Sequence, residues 1–370
     1  MKDVVIIGAG ILGASTAYHL AKSGVPVTVI DRQDAGQATA AAAGIICPWI
    51  SQRRNKAWYT LAKNGAAYYE TLIEALHADG ESDTGYQKVG AISLHTDAKK
   101  LAGMKERAIK RREDAPEIGE IRALTEEDIQ NLFPYVDERF RAIHVAGAAR
   151  VNGRALRDAL MNGAKKYGAT FIRGSATLKH TEQTVEGVEV NGEQLLADRV
   201  IVTAGAWASA FIKPLGIDLQ IGGQKAQIAH LKIDEDTTHW PVVMPPNNQY
   251  LLTDDNGTII VGATYEDDQS DLNVTVGGLH EILDKALDVA PKLKDATLLE
   301  VKVGFRPFTP NFMPVIGEVP GTNGLLLANG LGSSGLTVGP YLGSILAKIV
   351  TGEDLALDLT PYSIEQIIAT

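Results

Sequence analysis

The chain has a single cysteine, Cys47. That excludes an intramolecular disulfide and any multi-cysteine zinc or iron–sulfur site, and it fits a reducing compartment. A basic surplus is lacking too. Against 45 Asp and Glu stand 35 Lys and Arg, a net charge of -10, so there is nothing spare to meet nucleic-acid phosphates. The local run "KERAIKRR", Lys105 to Arg112, lies among acids in a helical stretch and reads as a solvated helix face. Long apolar runs are missing as well. Lys2 and Asp3 precede only a short N-terminal apolar run, which glycines interrupt, so it does not read as a signal peptide. No stretch reaches the roughly 18–20 apolar residues that cross a bilayer, and a cytoplasmic protein without a transmembrane segment is expected. The 8 histidines lack metal-ligand spacing, so no metal is expected, and His95, His144 and His230 read as surface or satisfied core residues. Gly332-Ser333-Ser334-Gly335 is not the G-x-S-x-G of a serine hydrolase, and no histidine follows it.

What is present is the ordinary composition of a globular chain: 370 residues, 45% apolar and 22% charged, long enough for two domains. Its most informative stretch is "DVVIIGAGILGASTAYHLAKSGVPVTVID", Asp3 to Asp31. Val4 to Ile7 is a β-branched run that reads as a strand buried on both faces. Gly8, Gly10 and Gly13 form G-x-G-x-x-G, an alanine-rich helix runs to Lys22, Gly24 stops it, and Val25 to Ile30 reads as a second strand. Gly8 permits the tight turn, Gly10 lets the backbone approach a pyrophosphate, and Gly13 lets helix pack on strand. The helix N-terminus supplies free N–H groups and partial positive charge for the phosphates. Asp31 stands where an acid accepts hydrogen bonds from an adenosine ribose, and it would repel a 2′-phosphate. This unit alone does not separate FAD from NAD.

Later segments do. "GQATAAAAGII" (Gly36 to Ile46) is a small-residue loop, "ADRVIVTAGAWA" (Ala197 to Ala208) is a buried strand breaking into Ala204-Gly205-Ala206-Trp207, and "GLLLANGLGSSGLTVGPYLGSILAKIV" is a strand, a Gly/Ser loop and a helix from about Thr337. With these the chain resembles, nearly end to end, the glycine oxidase / D-amino-acid oxidase family of flavoproteins. The resemblance implies an α/β fold: an FAD-binding Rossmann-like domain, with a parallel sheet, helices and a β-meander, interleaved with a smaller antiparallel-sheet α+β substrate domain. Residues 1–84, 143–221 and 303–370 would form the first, and 85–142 and 222–302 the second. It also implies a non-covalent FAD held by Gly8, Gly10, Ile11, Leu12, Gly13, Asp31 and Arg32, then by Thr39, Ala40, Ala43, Gly44, Ile45 and Ile46. Thr177 would lie by the adenine, Ala204, Gly205 and Trp207 at a strand end facing the cofactor, and Gly332, Ser333, Ser334, Gly335, Leu336 and Thr337 at the flavin. The last loop departs from glycine oxidases, which carry a histidine and an arginine where this chain has Leu331 to Ser334. Cysteine attachment of FAD, as in sarcosine-oxidase relatives, is not expected, because Cys47 lies far from the Arg306 segment in sequence.

The middle regions read as hairpins and short helices. Asn191-Gly192 and Asp254-Asp255-Asn256-Gly257 are turn signals, Thr125 caps a helix opened by Glu126 to Asp128, and "QKAQIAHLKI", "NQYLLTDD" and "GTIIVGATYE" alternate as strands. In "VGFRPFTPNFMPVIG", Arg306 is a lone charge in an apolar run and matches the family's G-x-R-P arginine. An unpaired buried guanidinium is costly, so its partner is either an acid of the chain, such as Glu300 or Glu318, or a substrate carboxylate. The resemblance implies the substrate, with Tyr250 bonding the same carboxylate, Tyr265 as a wall and Asn248 at the mouth. The expected activity is oxidation of the amine of a small amino acid (glycine, a D-amino acid or an N-substituted glycine) by hydride transfer to flavin N5, giving an imino acid that hydrolyses. Oxygen or an electron carrier would take the electrons, and a homo-oligomer is compatible. Two alternatives stand beside it: a same-fold dehydrogenase of amino or hydroxy acids serving a quinone or other carrier, and an NAD-linked or non-catalytic Rossmann protein.

Overall fold

The computed structural model describes residues 3–267 and 271–369. The buried run Val4–Ile7 pairs in parallel with Val27–Asp31 on one side and Arg199–Val202 on the other. Thr170–Arg173 extends one edge in parallel; Leu325–Asn329 extends the other, followed by the antiparallel Val315–Glu318. Strand alternation divides the first strand between two cores. Val4 and Ile6 pack with the helix Ile11–Lys22 and its neighbours, while Val5 and Ile7 pack with the meander of Ala176–His180, Val185–Val190 and Glu193–Leu196. The second strand starts at Val27 rather than Val25, because Pro26 has no N–H for a ladder and offers only its carbonyl, to Val4 N at 3.0 Å. Asn191 (φ 53°) and Gly192 (φ 82°) make the expected tight turn of the meander.

The second sheet has eight strands, in the order Thr297–Phe308, Gly222–Lys232, Thr258–Gly262, Tyr250–Thr253, Val242–Met244, Ala91–His95, Arg141–Val145, Ile121–Leu124. It is broader than the six-stranded first sheet and is antiparallel except where Val242–Met244 runs parallel to Ala91–His95. The breaks placed at 142/143 and 302/303 from sequence fall inside strands Arg141–Val145 and Thr297–Phe308. The second of these pairs with Gly222–Lys232 along its whole length, so it belongs to the sheet to its end. A separate three-stranded element has the order Ile45–Ile46, Ala149–Arg150, Gln87–Lys88, antiparallel throughout. The Thr125 cap forms a full capping box: Thr125 Oγ1 accepts from Asp128 N at 3.1 Å, and Asp128 Oδ2 accepts from Thr125 N at 2.9 Å.

The C-terminal helix Gly335–Thr351 starts two residues earlier than sequence suggested, directly after a 3₁₀ turn at Gly332–Ser334. Small residues set its packing. A Cβ added at Gly65 would come within 2.3 Å of Thr337 O, and one at Gly343 within 2.5 Å of the Ser15 side chain. Pro340 inside this helix has no N–H, which leaves the carbonyl of Leu336 without its intrahelical donor. The fully buried Tyr69, on the helix Lys56–Ala78, supplies the replacement: its hydroxyl donates to Leu336 O at 2.5 Å. Tyr69→Phe should therefore leave a buried acceptor unmade and lower stability by about 1–3 kcal/mol, read from the urea midpoint at unchanged m-value. A midpoint equal to wild type would show that Leu336 O has another donor.

Candidate active site

A cavity of about 570 Å³ opens between the carboxyl ends of the parallel strands and the underside of the mixed sheet. Ligands of open α/β sheets bind at such strand ends. Its floor is the first βα turn. Gly8 has φ 104°, and a Cβ there would meet Thr203 O at 2.7 Å; a Cβ at Gly13 would meet Gly8 O at 1.9 Å and Thr203 Oγ1 at 2.6 Å. Thr203 Oγ1 in turn donates to Gly8 O at 2.9 Å, locking the turn against the end of the strand Arg199–Val202. Gly10 differs. The nearest protein atom to a Cβ there is Thr39 Oγ1, at 3.4 Å, so the fold does not need glycine at this point. The space that Gly10 leaves open belongs to the cavity.

Thr39 ties the second wall to the first, its Oγ1 accepting from Ile11 N at 3.0 Å. Ala43, Gly44 and Ile45 continue that wall, Ala204, Gly205 and Trp207 form a third, and Gly332 through Thr337 a fourth. Ile228, Met244, Asn248, Tyr250, Tyr265 and Arg306 make the roof. The cavity thus gathers Gly8, Gly10, Ile11, Leu12, Asp31 and Arg32 with the rest of the residues singled out from sequence, apart from four. Gly13 lies in the helix Ile11–Lys22 on the side that meets the Gly8 turn, as its packing role requires. Ile46 and Thr177 alternate away from their lining neighbours Ile45 and Ala176, Ile46 into the core and Thr177 to solvent. Ala40 is likewise off the lining, although Ala38, Thr39 and Ala41 of the same helical turn are on it. Sequence reading missed Gln37, Thr203, Met244 and Trp58, which also line the cavity. Thr203 adjoins the quoted Ala204-Gly205, but Trp58 reads as an ordinary core aromatic of its helix.

Asp31 is buried and largely occupied. Oδ2 accepts from Ala9 N at 2.6 Å, and Oδ1 accepts from Gln33 N at 2.5 Å and Gln37 Nε2 at 3.0 Å. Roughly one of a carboxylate's four acceptor positions is left for a ribose. Arg32 is turned aside to Asp34 at 2.6 Å. Cys47 lines the cavity, and burial pushes its thiol up to about 12, which keeps it protonated and unreactive.

At the other end Arg306 Nη1 donates to Thr264 O at 3.1 Å, and the guanidinium lies 4.6 Å from the ring centre of the half-exposed Tyr265. Neither candidate acid is its partner: Glu300 bonds Lys302 at 3.0 Å, and Glu318 faces Arg199 at 3.4 Å. Among the described residues no carboxylate pairs with Arg306. Burial raises the Tyr250 hydroxyl well above its ordinary pKa, although the charge of Arg306 opposes the shift, so Tyr250 stays a neutral donor. Of the histidines, none lines the cavity. His144 and His230 each bury one unpartnered ring nitrogen, and burial lowers the His230 pKa to about 4. They are therefore core residues with incomplete hydrogen bonding.

The donor set fits FAD: a glycine turn and helix N-terminus for phosphates, small residues beside a planar ring, and a second helix N-terminus, at Gly335, that no side chain caps. Gly10→Val should fold with near-native stability yet be purified colourless, as absorbance and denaturant titration would show. A yellow Gly10→Val protein would mean that the phosphates lie elsewhere.

Comparison with known proteins agrees with this fit. A family model described as FAD dependent oxidoreductase (DAO) matches residues 3–349. An uncharacterized oxidoreductase of Bacillus subtilis (strain 168), YurR, is 60% identical, with 98% of each chain covered. Glycine oxidase of Pseudomonas putida is 29% identical, again over 98% of each. The crystal structure of iminodiacetate oxidase from Chelativorans sp. BNC1 superposes with a TM-score of 0.94 at 44% identity, covering 97% of this chain and 98% of that one. The NAD-linked and non-catalytic alternatives fall away, and the chain belongs to the DAO family of FAD-dependent oxidoreductases.

Proposed function

We propose that this oxidoreductase oxidises the amine of a small amino acid or N-substituted glycine, and that Arg306 holds the substrate carboxylate. The observation that carries the reading is a guanidinium in a largely apolar cavity with no acid partner among the described residues. One of its five N–H groups is used by Thr264 O, which fixes the plane of the fork and leaves the other edge for a bidentate carboxylate. Tyr265 stacks on one face of the guanidinium and limits its movement. Tyr250, kept neutral by burial, donates a further hydrogen bond to the same carboxylate, and Asn248 stands at the mouth. Bound FAD, held non-covalently, supplies the hydride acceptor. No acid–base dyad is needed for this chemistry, and the lining acids Asp31 and Asp34 lie at the nucleotide end. Division into a cofactor part (1–84, 143–221, 303–370) and a substrate part (85–142, 222–302), with the strands Arg141–Val145 and Thr297–Phe308 counted whole to the substrate part, in a reducing cytoplasm suited to one buried thiol, belongs to the same proposal.

Truncating one member of a buried charge pair costs roughly 2–5 kcal/mol, so Arg306→Ala should lower kcat/KM by about 30- to 5000-fold while FAD content holds. Arg306→Lys should recover only part of the loss, because an ammonium lacks the fork. If Arg306→Ala loses flavin or fails to fold, the arginine's partner lies in the chain.

The cavity also bounds substrate charge. Apart from Arg32, which is paired at the far end, Arg306 is the one basic side chain among its described lining residues. A second carboxylate would need a second cation, and Arg53, 4.8 Å from the ring of the lining Trp58 and without an acid partner among the described residues, is a candidate. In anaerobic flavin bleaching, a preference for N-methylglycine over iminodiacetate would show that Arg306 is the one cation of the working site, and the reverse preference would place a second cation there. Admission of air to the bleached enzyme then separates oxygen from a carrier as electron acceptor.

A further inference from the structure

We infer that Trp58 is a positioning residue: its indole N–H turns the Ser334 hydroxyl proton toward the cofactor ring, where it raises the electron affinity of bound FAD. The inference rests on the FAD-binding site described above and goes beyond the amine-oxidation reading. Ser334 is the N-cap of the helix Gly335–Thr351. Serine at that position ordinarily accepts from the second or third N–H of the helix. Here it makes no such bond. Instead Ser334 Oγ accepts from Trp58 Nε1 at 3.1 Å. An indole N–H can only donate, so the serine is the acceptor and its own proton must point elsewhere. Among the described residues its hydroxyl has no acceptor, and both Trp58 and Ser334 line the cavity.

Trp58 is itself held by its helix cap, by Arg53 and by burial. Asn55 Oδ1 accepts from Trp58 N at 2.9 Å, capping the helix Lys56–Ala78 and setting the backbone. The Arg53 guanidinium lies 4.8 Å from the ring centre, and Arg53 Nη2 donates to Phe312 O at 2.6 Å and Asn311 O at 3.1 Å. The Trp58 side chain is 7% exposed, so its N–H has little freedom to leave Ser334.

The Gly8–Leu12 turn takes the phosphates and Asp31 the adenosine side, so the ring of FAD occupies the opposite reach of the cavity, which Ser334 and Thr337 line. Uptake of a hydride, two electrons and one proton, leaves the ring with one more negative charge. A hydroxyl donor beside the positive end of a 17-residue helix stabilises that charge.

The test needs no amine substrate. Sulfite adds to electron-poor flavin rings and bleaches them, so its dissociation constant reports the local field, and the midpoint potential of the holoprotein reports it independently. Ser334→Ala should weaken sulfite binding by about 10- to 100-fold, as expected for one hydrogen bond to a charged group, and lower the potential. Trp58→Phe keeps the ring under Arg53 but frees the hydroxyl to turn back on the helix, so it should show a smaller loss in the same direction. The double variant should match Ser334→Ala alone, because the indole acts only through the serine. Losses that add in full, a Ser334→Ala protein with wild-type sulfite affinity and potential, or a Trp58→Phe protein that sheds FAD would each overturn the inference. Because sulfite reads the cofactor alone, these outcomes are independent of whether any amino acid bleaches the flavin.

Discussion

Close backbone approach at the first βα turn is the constraint on which the rest depends. Gly8, Gly13 and Thr203 meet at distances that no side chain could share, and Thr203 fastens the turn through Gly8 O. This contact sets where the helix Ile11–Lys22 begins relative to three parallel strands, and so where its free N–H groups point. The same logic of small residues recurs where the C-terminal helix packs on Ser15 and on Gly65. Two helix N-termini are thereby brought to one cavity, and both favour negative charge.

The roof is held by a different device. Gly222–Lys232 and Thr297–Phe308 pair over their whole length, and this ladder carries Arg306 from the sheet to the cavity. A guanidinium so placed must be held without being neutralised. Thr264 O and the Tyr265 ring do this, one by a hydrogen bond and the other by its π face, and neither removes the positive charge. Charge is managed in the opposite way at the nucleotide end, where Asp31 is nearly saturated by Ala9, Gln33 and Gln37. One end keeps a charge that no described carboxylate meets, while the other uses its charge mainly to shape the turn.

Much of this was legible in the chain itself. The β-branched run at Val4–Ile7, the three glycines and the Asp31 strand end announce a nucleotide turn, because each residue type answers a local steric or electrostatic demand. The Asn191-Gly192 turn and the Thr125 capping box were equally local, needing only a few neighbouring residues. Arg306 stood out because a lone charge in an apolar run must find a counter-charge somewhere. What was not legible depended on distance. The Thr177 side chain faces solvent while its neighbour Ala176 packs inward, and Ala91–His95 joins Val242–Met244 in one sheet across some 150 residues of chain.

The sequence by itself determined a glycine-rich βα turn and marked Arg306 as a charge in need of a partner, and through its resemblance to a known family it implied the fold class. The first two follow from turn sterics and the cost of an isolated charge, which act over a few residues. Only the tertiary structure decided that Pro340 would have its orphaned carbonyl met by Tyr69, that Trp58 would claim the hydroxyl of Ser334, and that neither Glu300 nor Glu318 would reach Arg306. Each of these is a hydrogen bond or ion pair between side chains remote in sequence. Such a pairing exists only once packing has fixed both partners to within a few tenths of an ångström, and no local pattern encodes it.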